Sequence, residues 1–329
     1  MVQSQAAGKI QSPWIRFLSK RGTGICMVLI LLILGIRAPL FFSLDNLMDV
    51  LKQGGILTLL SLGLTLVLVP GGFDMGAGAT MQFTCNLAAA LILSGIAPMF
   101  TIPVGILLGF GVGLFNAFLV LVMHIPSFVG TLGTMFVLQG LTQLVNKGQV
   151  MNIGIRPYFT ALGQGHIAFI PIIFIIVLVM MVIINYFLKH TRTGLRMYAS
   201  GQNPQAAAIR GISTAKCILI GYLLSGAMLG FTGVVQCSYI YGSTPIIAGI
   251  DFLIQALVAA YLGTTFSKTG ELSIIGSTIC GLFVAALSNA LIINGISNRQ
   301  ISGVLGVVLI VSILITVIHK REIGQVTIF

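Results

Sequence analysis

KHTRTGLRMYASGQNPQAAAIRGISTAK, residues 189–216, is the one long polar stretch between two strongly apolar halves. It carries Lys189, Arg192, Arg196, Arg210 and Lys216 and no acidic residue. Gly194 and Gly201 read as chain turns. Asn203 is a good helix N-cap with Pro204 in the first helical position. Gln205–Arg210 then reads as a short helix stopped by Gly211. A helix of about two turns is marginal alone in water, so it must dock on something.

Outward from this stretch the chain is hydrocarbon. Of 329 residues, 57% are hydrophobic and 7% charged, with a mean hydropathy of +1.08. Soluble domains carry about 25% charged residues, so the natural solvent of this chain is a bilayer. The 40 glycines suit membrane helices that pack closely. The net charge of +11 is explained by the bias of positive residues to the cytoplasmic side, not by nucleic acid. Five cysteines stand at long spacings with no CxxC pair and read as small core residues. The first apolar run lacks a small-residue cleavage site and reads as a retained span.

The pattern predicts an all-α polytopic membrane protein of about ten transmembrane helices, with eight or nine as alternatives. Residues 1–21 form a basic N-terminal segment, 22–318 the membrane domain and 319–329 a tail. The run Phe252–Leu262 is short for a span, so it is either longer and partly polar or re-entrant. With ten spans and the N-terminus inside, Lys9, Arg16, Lys20, Arg21, Lys189, Arg192, Arg196, Arg210, Lys216, Lys268, Lys320 and Arg321 are cytoplasmic. Only Arg37, Lys52, Lys147, Arg156 and Arg299 lie outside, which puts both termini and the 189–216 loop on the cytoplasmic side. A faint echo of residues 85–96 in 280–296 is compatible with an internal repeat.

Three further groups invite a functional reading. In PGGFDMGAGA, residues 70–79, a proline and four glycines break two apolar runs. Irregular backbone in a membrane protein needs protein or a water-filled cavity around it. Asp74, the only acid between Asp49 and Asp251, is a helix N-cap or a gate residue; Gly71, Gly72 and Gly76 share its stretch. In IPSFVGTLGTM, residues 125–135, Pro126 starts a helix, Ser127 or Thr131 can satisfy freed carbonyls, and Gly130 and Gly133 suit helix contact. An outer-half polar set comprises Gln236, Tyr239, Tyr241, Ser243, Thr244, Asp251, Asn289, Asn294 and Asn298. It reads as an interfacial belt before a ligand site, with Asn289 the candidate passage residue.

The sequence has no phosphate-binding glycine loop, no HExxH, no paired carboxylates and no Ser/His/Asp set. His124, His166, His190 and His319 are isolated. No catalytic residue, metal site or cofactor is expected. No span carries the charge pairs of a proton or sodium relay. The chain reads as a passage whose energy comes from elsewhere; a stand-alone secondary transporter or facilitator is the alternative.

The motifs resemble a family. GLTLVLVPGGFDMGAG (63–78), IPSFVGTLGTMFVLQGL (125–141) and RTGLRMYASGQNPQAAAIRGI (192–212) resemble, in order, three stretches of the permease subunits of bacterial ABC sugar importers of the ribose/xylose/arabinose/autoinducer-2 type. The resemblance spans roughly residues 40–320. It implies an inner-membrane, passage-forming subunit for a pentose-like sugar or polyol. Its implied partners are two cytoplasmic ATPase subunits, a second permease copy or paralogue and a periplasmic sugar-binding protein. It implies that Gly201, Gln202, Asn203, Pro204, Ala206, Ala207, Arg210 and Gly211 couple to the ATPase, and leaves Gly71, Gly72, Asp74, Gly76 and Asn289 as passage or gate candidates. Two departures stand out. Leu253 and Gln255 replace the family's usual acids in FLIQALVAAYLGTT (252–265), and Pro204-Gln205 replaces an acidic pair in the loop. Both leave the sugar open and suit a divergent member or a heterodimer partner.

Overall fold

The computed structural model describes residues 13–243, 248–267 and 270–322. Lys9, Thr244 and Lys268 lie outside the described residues, as do the side chains of Arg16, Lys20, Arg21, Asn298, Arg299, His319, Lys320 and Arg321.

The described chain is almost wholly helical. The helices in order are α1 (Pro13–Arg37), α2 (Leu44–Leu68), α3 (Ala77–Leu93), α4 (Thr101–Leu121), α5 (Ser127–Asn146), α6 (Pro157–Gln164), α7 (Ile172–His190), α8 (Arg192–Gln202), α9 (Pro204–Ile209), α10 (Thr214–Ile240), α11 (Ala248–Leu262), α12 (Ile274–Ile293) and α13 (Asn298–Glu322). A two-residue hairpin, β1 (His166–Ile167) against β2 (Ile170–Pro171), sits between α6 and α7. Among the described residues, seven helices are long and apolar enough to cross a membrane, and Gly24–Arg37, Ala77–Leu93 and Gln300–Val311 are shorter apolar helices. The short run at Phe252–Leu262 is part of α11, which a 3₁₀ turn at Gly263–Phe266 extends into an 18-residue apolar segment.

α2 is the central post: every residue from Gly54 to Leu68 is buried. Its polar side chains are satisfied inside the bundle, as a span must arrange where no water competes. The Thr58 hydroxyl donates to the Gly54 carbonyl at 2.7 Å and the Ser61 hydroxyl to the Ala256 carbonyl at 3.2 Å. Thr65 meets the Ser277 hydroxyl at 3.1 Å.

Among the described residues, the most extensively packed helix pair is α4 against α10. Gly105, Gly109 and Gly113, one turn apart, face Gly230, Gly226 and Tyr222. A Cβ at Gly109 would strike the Gly226 carbonyl, and one at Gly226 the Gly109 carbonyl. This is backbone packed on backbone, the small-residue mode by which membrane helices gain dispersion contact where lipid supplies no hydrophobic drive. In contrast α5, α7 and the outer face of α4 leave large apolar side chains exposed, including Leu107, Phe136, Val137, Leu144 and Val182. Such a surface belongs against lipid or another chain.

The connections sort into two ends. Tyr198 donates to the Leu272 carbonyl at 2.8 Å, and Ser200 to the Pro70 carbonyl at 3.5 Å. The 69–76 turn, α8–α9 and the 267–273 connection thus share one end. At the other end, Met151 N–H donates to the Ser243 hydroxyl at 2.9 Å, Gln164 to the Tyr239 carbonyl at 2.7 Å, and Asn294 to the Leu34 carbonyl at 3.2 Å. No disulfide joins the five cysteines, all of which are among the described residues, and only Cys26 is exposed.

A basic helical elbow and the loop beneath it

The 189–216 stretch is two helices, not a loop with one helix. Thr191 caps α8, accepting from Gly194 N–H at 3.1 Å. α8 then runs through both glycines expected to be turns. Their role is close approach: a Cβ at Gly194 would strike the backbone of Leu188, and one at Gly201 the carbonyl of Val69. α8 buries Gly194, Met197 and Ser200 on one face and exposes Leu195 and Arg196. Tyr198 ties it to the 267–273 connection. Burial, with the nearby Glu271 carboxylate, holds the Tyr198 phenol up to about 12, so it stays a protonated donor. Gln202 also bonds Glu271 through its amide nitrogen.

α9 is built as the sequence predicts. Asn203 Oδ1 accepts from Ala206 N–H at 2.9 Å, Pro204 occupies the first turn, and Gly211 leaves the helix at φ 76°. That left-handed conformation is one glycine adopts without a Cβ clash. Of α9 only Ala207 is buried; Pro204, Gln205, Ala206, Ala208, Ile209 and Arg210 are exposed. Ile209, 88% exposed at the tip, was absent from the sequence-derived set. A large apolar residue on a basic, solvent-facing helix was the signal that could have found it. Gln202, Asn203 and Gly211 are exposed as well, and Ala207 instead roots the helix.

Beneath the elbow lies the 69–76 loop. Gly71 adopts φ 92° and its Cα-side space faces Gly201. Gly72 N–H closes back onto the Val67 carbonyl at 3.0 Å. Asp74 is 2% exposed. It is not the N-cap of α3: Gly76 holds that place, with no capping side chain. Asp74 Oδ1 instead accepts from Gly76 N–H at 2.8 Å and from the Asn116 amide of α4 at 3.4 Å. Burial pushes its carboxyl up to about 7, opposed by the Gly76 hydrogen bond. Tyr222 of α10 donates to the Phe73 carbonyl at 2.8 Å. Met75 N–H donates to Thr131 Oγ1 of α5 at 2.9 Å. The structure thus brings Val69, Pro70 and Gly71 against Gly201, joining two motifs that lie far apart in sequence, while Gly72 packs on Val67 and Tyr222 and Asp74 and Gly76 face Asn116 and Thr131.

Asn289 is not part of this constellation. It lies fifteen residues beyond Ile274 in α12, about 22 Å along the axis and toward the opposite end. Its Oδ1 is buried and has no hydrogen-bond partner, as is true of Gln236 Oε1. Other members of the outer polar set knit loops together: Ser243 bonds Met151, Asn294 bonds Leu34, and Ser302 donates to Asp251 at 3.1 Å. Of the expected glycine contacts in α5, Gly133 has nothing within 4 Å, whereas Gly130 meets Leu119 and Ile125. Among the described residues no cluster of three metal-ligating side chains occurs.

Residues 46–314 match the family described as branched-chain amino acid transport system / permease component. The ribose import permease protein RbsC of Bacillus subtilis is 30% identical over 299 residues, covering 91% of this chain and 92% of that one. The ribose import permease of Escherichia coli K12 is 27% identical over 88% of this chain and 91% of its own. The D-allose transport system permease AlsC of the same organism is 27% identical over 88% and 89%. No solved structure matches the chain.

Proposed function

The chain belongs to the branched-chain amino acid transport system / permease component family, and on that premise we propose that it is the passage-forming subunit of an ATP-binding-cassette importer for a monosaccharide. The ribose and allose permeases among its relatives support a sugar or polyol as cargo. It is a multi-pass helical protein of the inner membrane. The seven long apolar helices and three shorter ones support ten spans. The grouping of α8–α9 with the 69–76 and 267–273 connections at one end, together with the basic residues of α8–α9, supports the reading that this end faces the cytoplasm, and with ten spans we infer that both termini lie on that side.

The observation that carries the reading is the α8–α9 elbow: a capped helix, exposed along most of its length, tipped by Ile209 and rooted on the bundle by α8. An exposed two-turn helix with an apolar tip is organised for a partner. The partner that suits it is a separate cytoplasmic ATPase. Nucleotide-driven closure of two such ATPase subunits moves α9, the spans tilt, and access to the passage alternates between the two sides. A second permease copy or a paralogue completes the passage, and a periplasmic sugar-binding protein delivers the cargo.

The test is uptake of radiolabelled ribose and allose by cells carrying the permease with its ATPase and binding protein. Ala206→Glu with Ala208→Glu alters only exposed positions. The double variant is expected to reach the membrane at normal level and to lose uptake. Normal uptake would overturn the assignment of α9 as the ATPase contact.

A further inference from the structure

Resting on that reading of α8–α9, we propose that the 69–76 loop is the strap that passes movement of the elbow into α5, with Thr131 the positioning residue at its far end. At the near end, Gly201 packs so tightly that a Cβ there would strike the Val69 carbonyl and crowd Pro70. Ser200 adds a bond to the Pro70 carbonyl at 3.5 Å. The Gly201–Val69 contact has no rotatable side chain to absorb displacement, so α8 and the loop move as one body.

At the far end one side-chain oxygen bonds loop to helix, and a ring contact lies beside it. Thr131 Oγ1 accepts from Met75 N–H at 2.9 Å and donates to the Ser127 carbonyl at 2.7 Å, in the first turn of α5. The Phe73 ring lies 6.1 Å from that of Phe128, also in that turn. Between its ends the loop is braced. Gly71 and Gly72 bond back to α2, Tyr222 holds the Phe73 carbonyl, and Asp74 closes onto Gly76. A short segment held internally and bonded at both ends transmits a push where a free loop would absorb it.

α5 is the span placed to respond. It packs on α3, where Asn146 donates to Asn86 at 3.0 Å, and more lightly on α4. Its other face presents Val129, Phe136, Val137 and Leu144 outward. Gly133 and Gly140 on α5 meet nothing within 4 Å. A tilt toward that face meets no other described part of this chain, so α5 changes the wall it offers a second permease subunit.

The experiment uses the assembled transporter in lipid vesicles, with exposed Cys26 replaced by Ser and spin labels on introduced cysteines. One label pair, Val137 on α5 and Leu107 on α4, reads α5. A second, Leu195 on α8 and Ile155 at the opposite end, reads the elbow. Addition of ATP with vanadate is expected to shift both distances in the parent. Thr131→Val, which keeps the side-chain shape and removes the acceptor, is expected to keep the ATPase bound and the Leu195 shift, and to lose the Val137 shift. Thr131→Ser restores it. Phe73→Leu, which removes the ring contact, weakens the Val137 shift by an independent route if the valine variant fails to assemble. A full Val137 shift in Thr131→Val, or no recovery in Thr131→Ser, overturns the strap. An unresponsive Leu195 pair in the parent overturns instead the coupling role of α8–α9, and the strap with it.

Discussion

Ile209 offers the sharpest separation between folding and function. At 88% exposure it contributes almost no burial to the permease, so Ile209→Ala leaves thermal stability within about 0.5 kcal/mol of the parent. If α9 seats in a cleft of an ATPase, nearly the whole side chain is available to be desolvated there. Full burial of an isoleucine side chain contributes about 1.5–3 kcal/mol, and truncation to alanine removes most of it. A loss of about 2 kcal/mol corresponds to roughly thirty-fold weaker binding, since each 1.4 kcal/mol is tenfold. Titration of the purified ATPase against permease in lipid nanodiscs measures this directly, with Ala207→Asp as contrast. Ala207 is 3% exposed, so its variant disturbs the rooting of α9 as well as binding. Unchanged ATPase affinity in Ile209→Ala would refute the claim that the α9 tip enters a partner.

Two other perturbations follow from the packing. Gly109→Val places atoms where the Gly226 carbonyl sits and is expected to destabilise the detergent-solubilised protein by about 1–3 kcal/mol, read as a lower melting temperature; Gly111→Ala, in open space two residues along, is the control expected to be neutral or slightly stabilising. Asp74 binds its proton more tightly when folded, near 7, than the ordinary 3.8, so its contribution to stability is complete below about 4 and is lost as pH rises to 7 and beyond. Asp74→Asn, whose amide oxygen still accepts from Gly76, is expected to melt without that downward step, and an identical pH profile in parent and variant would refute the assignment.

The local signals in the sequence were readable and the tertiary ones were not. Asn203-Pro204 and Gly211 specify α9 by capping and backbone preference alone, and the structure realises both. Gly194 and Gly201 read as turns because glycine weakens an isolated helix; here each is inside α8 because another backbone occupies the space of its missing side chain. The partners are Leu188 and Val69, and nothing in a one-dimensional pattern names Val69 as the neighbour of Gly201. Asp74 shows the same limit. An acid before a small-residue helix looks like a cap, yet Gly76 takes the cap position and the carboxylate faces Asn116, forty-two residues away. Gly133 errs in the other direction: its spacing from Gly130 suggested a helix contact, but within this chain its surface is open.

That contrast among glycines bears on how this chain divides into stiff and yielding parts. Where backbone meets backbone, at α4 on α10 and at Gly201 on Val69, parts are locked, because no side chain can swing to relieve a displacement. Where glycine faces no other described residue, at Gly133 and Gly140 on α5, the surface is smooth and unpartnered among the described residues. The elbow sits on the locked side of this division and α5 on the open side, and the 69–76 loop is bonded to both. A force on α9 therefore meets stiff contacts until it reaches α5. Substituting a larger residue at Gly201 should stiffen nothing further and instead pry the elbow from the loop, whereas a larger residue at Gly140 should leave the chain folded and act only on what a second subunit meets. Comparing thermal stability with subunit association for Gly201→Ala and Gly140→Leu distinguishes the two. Equal destabilisation of the isolated permease by Gly140→Leu and Gly201→Ala would refute this division.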